Sequence, residues 1–141
     1  MVRDRIAVRI TRLATMRLVI LIFVAGGFGA LLRLGLNRWV AAQVAGDFPW
    51  GTLLVNCFGS LLCGIIWAAF DARGALDSTM RTVLLVGFVG ALTTFSTLAL
   101  DSILLFHDGM PLLAIVNLLV TNVAGFVSLL IGVGATRAMI G

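Results

Sequence analysis

The stretch that decides the fold reads GFVGALTTFSTL and covers residues 87–98. Its two glycines precede a run in which four of five residues carry hydroxyl groups. Glycine and β-branched threonine both weaken a helix, and serine and threonine hydroxyls compete for its backbone groups. We therefore predict a broken or unwound turn between Gly90 and Thr94. A kinked helix whose hydroxyls bond to its own turns is the alternative.

Composition indicates that this stretch belongs to an integral membrane protein. Apolar residues make up 61 % of the 141 residues, charged residues make up 11 %, and the mean hydropathy is +1.16. A soluble domain has about 45–50 % apolar and about 25 % charged residues. So few charges cannot build a soluble surface. The chain has no Lys, Glu or Tyr, which excludes mechanisms that depend on those side chains.

Four long apolar blocks follow one another, and each can supply the roughly 20 residues that a spanning helix needs. The blocks are 18–39, 48–70, 82–100 and 109–136, and the connectors between them are 41–47, 71–81 and 101–110. A break in a bilayer is tolerated only where it is buried or faces a water-filled cavity, and freed carbonyls there are typical sites for a small cation such as Na⁺. We predict an all-α membrane protein with four transmembrane helices, the third broken near its middle.

The spans belong to one domain over residues 16–141. Residues 1–15 fit no span and are interpreted as a basic N-terminal extension, unless Met16 is the true start.

The distribution of arginines predicts the orientation. With four spans, both termini and the second connector share one side of the membrane. That side carries Arg3, Arg5, Arg9, Arg12, Arg17, Arg73, Arg81 and Arg137, and the other side carries Arg33 and Arg38. We therefore expect both termini in the cytoplasm and the chain in the cell's inner (plasma) membrane.

In a soluble protein the net charge of +4 would suggest a nucleic-acid partner. Here the arginines are interpreted as topology signals and contacts to the lipid bilayer, with no nucleic acid involved.

Two blocks carry small or polar residues at helical spacing. They are Thr52, Asn56, Ser60 and Gly64 in the second block, and Asn117, Thr121 and Ser128 in the fourth, where Asn122 falls off the stripe. Each set shares one helix face. Such a face is either a seam between helices or, in the fourth block, a neutral track for a small ion. Asn56 is the exception to a steric seam, because an amide in hydrocarbon must find partners or face water.

Three further features bear on chemistry. Phe95 lies among hydroxyls, and the positive edge of its ring can contact an anion without a full positive charge, although core packing is the alternative. Thr97 and Asp101 share a helix face, so the carboxylate either accepts from Thr97 or is simply interfacial. Arg33 is the one base deep in a block, and we expect it at the mouth of an aqueous vestibule, where it attracts anions.

No nucleotide-binding loop, nucleophile–base pair or ligand cluster is present in the sequence, so we do not expect an enzyme. Four spans are also too few to enclose a pore comfortably, which implies a dimer.

At this point three motifs carry a resemblance to a known family. Residues 87–97 (GFVGALTTFST) resemble the signature of the Fluc (CrcB) fluoride channels. Residues 26–30 (GGFGA) with Arg33, and residues 51–56 (GTLLVN) with Gly59 and Ser60, are similar to the family's first and second helix motifs. The resemblance extends from about Met16 to Gly141 and is most specific in the third block.

The resemblance implies an antiparallel homodimer with two passive fluoride pathways and a structural, non-transported Na⁺ at its centre. On this sequence the Na⁺ carbonyls would be those of Gly90 and Thr93. The first pore phenylalanine would be Phe95, beside the hydroxyl of Ser96, and Asn56 would be the vestibule amide. The pathway would be completed by Leu98, Asn117, Thr121 and Ser128, with a polar cluster of Thr52, Thr97 and Asp101 near one pore end.

The sequence departs from the family pattern at three places. Leu98 stands where the family has a second pore phenylalanine, and Phe88 or Phe126 could substitute for it. Asp101 stands where the family usually has Glu. The arginine-rich start disfavours insertion in both orientations, which favours either Met16 as the start or an oppositely oriented paralogous chain as the partner.

The uncharged hydroxyl, amide and aromatic groups of the apolar blocks agree with a fluoride pore independently of the resemblance. Fluoride is small and strongly hydrated, so its pore must replace water with hydroxyls, amides and polarised C–H groups without a trapping positive charge. The alternatives are a proton-coupled exporter of lipophilic cations and a membrane scaffold that transports nothing. The exporter needs a membrane-embedded carboxylate, which the first block lacks.

Overall fold

A computed structural model describes residues 2–73 and 78–141 of the chain, with side chains described over 13–71 and 78–141. The described residues form helices and no strand. The helices are α1 (Val2–Gln43), α2 (Trp50–Arg73), α3 (Ser78–Thr82), a π-helix (Val83–Val89), α4 (Gly90–Leu92), α5 (Phe95–His107) and α6 (Pro111–Ile140).

Four helical segments in these ranges are long and apolar enough to cross a membrane. They are Leu13–Gln43, Trp50–Asp71, Ser78–His107 and Pro111–Ile140. The prediction of an all-α, multi-pass membrane protein with four spans is therefore confirmed. Large apolar side chains on every span are exposed, as contact with lipid requires.

The third span is interrupted where the sequence predicts. Thr93 has φ −80° and ψ 155°, and Thr94 has φ −150° and ψ 118°, so both residues are extended between α4 and α5. The π-helix that precedes the break was not predicted. A π-helix is rare beyond a single turn, and this one covers seven residues directly before the predicted weak point.

The third connector is shorter than expected. Asp101 and His107 were assigned to it, but both lie within α5, which ends at His107. The chain turns at 108–110, where Gly109 has a φ of 78° that glycine adopts without strain. The backbone of α1 is helical from Val2 to Gln43 without interruption. The helix therefore shows no break at residue 16, and the division into an extension (1–15) and a channel domain (16–141) stays a prediction.

Helices α2 and α6 make the most extensive helix–helix contact in the described part of the chain. A Cβ on Gly64 would collide with the carbonyl oxygen of Leu129, and a Cβ on Gly132 would collide with that of Leu61. The two backbones therefore touch where both helices carry glycine, which is the seam that small-residue spacing predicts. At the ends of the pair, Arg137 forms an ion pair with Asp71 at 3.6 Å.

We expect Gly132→Ala to lower the free energy of unfolding by about 1–3 kcal/mol, because the added methyl must push the two helices apart. Gly134→Ala is the matched control, since a Cβ there meets nothing within 4 Å. It should raise stability by about 0.5–1 kcal/mol through reduced backbone entropy of the unfolded chain. Thermal unfolding of both variants in detergent tests this, and equal melting temperatures would contradict the seam.

Candidate functional site

The side chain of Asn56 on α2 holds the break in the third span. The backbone N–H of Thr94 donates to Asn56 Oδ1 at 2.8 Å, and Asn56 Nδ2 donates to the Thr94 carbonyl at 3.2 Å. One carboxamide thereby satisfies both backbone groups of a residue that has left the helix. Gly59, one turn further along α2, has no side chain and so leaves room for the methyl group of Thr93.

Thr94 also begins the helix that follows. Its Oγ1 accepts from the N–H of Thr97 at 3.2 Å, which is the bond of an N-capping residue. The same hydroxyl lies 3.1 Å from Thr97 Oγ1 and 3.2 Å from Ser96 Oγ. Within the hydroxyl run at 93–97, Thr94 caps the following helix, while Thr93 Oγ1 donates back to the Val89 carbonyl at 3.1 Å.

The helix that ends at this break leaves its last backbone carbonyls without helical partners, as helix ends do. In a continuous helix the N–H of Thr94 would donate to Gly90, and that of Thr97 would donate to Thr93. Here those N–H groups donate to Asn56 Oδ1 and Thr94 Oγ1 instead. The carbonyl oxygens of Gly90 and Thr93, the two that the family resemblance implies, are therefore among the carbonyls at the break that do not accept the helical bond.

A cavity of about 290 Å³ opens between α2, the break and α6. It is lined by Asn56, Ser60, Thr93, Thr94, Phe95, Leu98, Thr121, Asn122, Gly125, Phe126 and Leu129. Every residue of this lining is uncharged. The cavity therefore offers hydrogen-bonding groups and aromatic rings without a fixed charge that would trap an ion.

The amides of this lining have donors left for a ligand. Each carboxamide carries two N–H groups. Among the described residues, Asn56 uses one on the Thr94 carbonyl, and Asn122 uses one on the Leu118 carbonyl at 2.7 Å. The second N–H of each amide has no hydrogen-bond partner among the described residues.

The predicted polar cluster lies at a second cavity, of about 350 Å³, on which Thr52, Thr97 and Asp101 all border. Thr52 Oγ1 donates to Asp101 Oδ2 at 2.6 Å and so holds the carboxylate between α2 and α5. Asn37 of α1 borders the same cavity, and its Oδ1 is buried without a hydrogen-bond partner in the described part of the chain. Unlike the neutral cavity described above, this second cavity has an acidic side chain, Asp101, in its lining.

Some residues assigned to the pathway from sequence do not line the neutral cavity. Asn117 is 0 % exposed, and its Nδ2 donates to Ser102 Oγ at 2.9 Å. It reaches the cavity only through Thr121, whose hydroxyl donates to Asn117 Oδ1 at 3.3 Å. Ser128 and Arg33 are half-buried and lie away from the lining, and Ser96 is exposed beside it. Their transport roles stay predictions.

The lining residues to which sequence reasoning gave no firm pathway role include Ser60, Asn122 and Phe126. Ser60 was assigned only to the seam, and Asn122 was set aside because it falls one position from the Asn117–Thr121 stripe. Phe126 was named only as a possible substitute for a ring at position 98. Asn122 and Phe126 are four residues apart and share a helix face, so a wider stripe on α6 would have included both.

Fold and site together define a helical multi-pass membrane protein with a neutral polar cavity at a broken helix. A family model described as CrcB-like protein, Camphor Resistance (CrcB), matches residues 20–133. The chain belongs to this family.

Curated relatives agree with that assignment. A protein of Desulforapulum autotrophicum named "Fluoride-specific ion channel FluC" is 40 % identical over 114 residues, which cover 81 % of this chain and 91 % of the relative. A protein of the same name from Citrifermentans bemidjiense is 38 % identical over 124 residues, covering 88 % of this chain and the whole relative. The shared name is that of an ion channel and not of an enzyme.

We expect Asn56→Ala to lower the free energy of unfolding by about 1–3 kcal/mol, because it leaves the N–H and carbonyl of Thr94 unpaired in the membrane interior. Asn122→Ala is the matched control. It removes an exposed amide whose bond lies within its own helix, so its effect should stay within about 0.5 kcal/mol. Denaturant unfolding in detergent, followed by helical circular dichroism, measures both; equal losses would show that Asn56 does not hold the break.

Proposed function

We propose that the protein is a passive, fluoride-selective channel that lets fluoride leave the cytoplasm and so relieves fluoride toxicity. The observation that carries this proposal is the neutral cavity at the break, where amide N–H groups and aromatic rings converge without a charged residue. The name of the relatives supports it. The need is physical, because neutral HF crosses a membrane at acid pH and ionises in the cytoplasm, where the anion is trapped.

Conduction requires that the pore replaces the hydration shell of fluoride without holding the ion. Asn56 supplies its second N–H, and Phe95 supplies the positive edge of a ring that is 73 % exposed. Thr121 borders the same space and is backed by Asn117. We assign the continuation of the pathway to Ser96, Leu98 and Ser128. Arg33 would draw anions toward a vestibule, and Thr52, Thr97 and Asp101 would form the polar cluster near one pore end.

A structural Na⁺, which is not transported, fits the released carbonyls of Gly90 and Thr93. Neutral carbonyl oxygens suit a hard, weakly binding cation, and half-unwound helices in membranes supply such ligands. When bound, the ion would occupy the lone pairs of these oxygens and hold the break in one conformation. Asn56 contributes by keeping the N–H of Thr94 away from the Gly90 carbonyl.

The functional unit is proposed to be an antiparallel homodimer, or a pair with an oppositely oriented paralogous chain, in the inner (plasma) membrane. The neutral cavity lies open on the protomer surface, with Phe95 and Asn122 both exposed at it. A partner that covers this face would convert the open cavity into a closed path.

Fluoride efflux from liposomes tests the proposed function. Vesicles loaded with potassium fluoride and containing the purified protein should release fluoride when valinomycin is added, as read by a fluoride electrode. Phe95→Ile should slow the release at least tenfold, because it removes the ring edge from the cavity.

Phe23→Ile is the control for that experiment, since Phe23 is exposed on α1 and does not border the cavity. Release from the wild type that Phe95→Ile leaves unchanged would refute the pore assignment of Phe95. No release from well-folded protein in sodium buffer would refute the channel.

Removal of Na⁺ tests the cation proposal separately. An ion that binds only the folded protein stabilises it by about 2.7 kcal/mol at 100 times its dissociation constant. We therefore expect the melting temperature in detergent to fall when sodium chloride is replaced by choline chloride at equal ionic strength. The same melting temperature in both salts would contradict a structural Na⁺.

A further inference from the structure

The neutral cavity is lined by two aromatic rings that come from different helices. Phe95 is the first residue of α5, and Phe126 lies within α6. Of the nine phenylalanines in the chain, these two border the cavity. They are 73 % and 74 % exposed, so neither ring is covered by the rest of the protomer.

Position 98 contributes only an aliphatic wall. Leu98 is 3 % exposed and is part of the cavity lining. A leucine side chain has no polarised ring edge to present to an ion. On α5 the cavity therefore has one ring, and the second comes from α6.

Phe126 stands beside hydrogen-bond donors. Asn122 is four residues before it on α6, so the two side chains share a face that borders the cavity. Ser60 faces Gly125, the neighbour of Phe126, and a Cβ on Gly125 would lie 3.4 Å from the Ser60 hydroxyl oxygen. This wall thus combines amide, hydroxyl and ring edge, as the wall with Asn56 and Phe95 does.

We propose that Phe126 is a second ion-contacting residue, whose ring edge meets fluoride in the cavity opposite Phe95. This rests on the proposed channel function and deepens it. An exposed phenylalanine in a membrane protein also contacts lipid without any role in transport. The position of Phe126 in the cavity lining, next to Asn122, separates it from lipid-facing rings such as that of Phe106.

The test compares fluoride efflux from liposomes for three replacements. Phe126→Leu removes the ring edge and should slow efflux at least tenfold. Replacement of Phe126 by pentafluorophenylalanine keeps the shape of the ring but reverses the polarity of its edge, and should slow efflux to a similar extent. Phe106→Leu, an exposed ring on α5 away from the cavity, should leave efflux within twofold of wild type.

Size-exclusion elution and the melting temperature of each variant establish that it is folded, and the pentafluoro variant preserves packing where leucine does not. Wild-type rates in both Phe126 variants would overturn the inference and leave the channel function intact. Slow efflux in Phe126→Leu with a wild-type rate in the pentafluoro variant would also overturn it, since only packing would then matter. No efflux from the wild type would overturn the channel function and this inference together.

Discussion

The rest of the site depends on the pair of hydrogen bonds between the Asn56 carboxamide and the backbone of Thr94. A broken helix in a membrane is stable only if its exposed backbone groups find partners. Asn56 supplies both an acceptor and a donor from a different span, so Thr94 can leave the helix and cap α5. This contact therefore stabilises the extended backbone at the break, beside which the neutral cavity lies.

The region of the break contains both hydrogen-bond acceptors and hydrogen-bond donors. In the proposed channel the carbonyls of Gly90 and Thr93 bind a cation, while the amides of Asn56 and Asn122 and the ring edge of Phe95 contact an anion. No formal charge is needed for either. With carbonyl oxygens for the cation and N–H groups and a ring edge for the anion, a chain with few ionisable groups in its spans has uncharged ligands for both proposed ions. The carboxylate of Asp101 is kept apart, bound to Thr52 at a different cavity.

Local composition was enough to predict the four spans and the break, because apolar length and the Gly–Thr run act within the segment itself. The partner of the break was not predictable, since Asn56 and Thr94 are 38 residues apart and only packing brings them together. The predicted end of the third span was too early, because we placed the charged Asp101 in a connector. It lies within α5, where the hydroxyl of Thr52 donates to its carboxylate. Asn122 was missed because the polar face of α6 is wider than one row of residues.

The reversal potential of the purified protein in a planar bilayer tests the central claim most directly. With fluoride at unequal concentrations on the two sides and chloride at equal concentrations, the account predicts a reversal potential set by the fluoride gradient. That potential should not move when chloride is replaced by a large impermeant anion. A potential that follows chloride or Na⁺ instead would contradict a neutral, fluoride-selective path through the break.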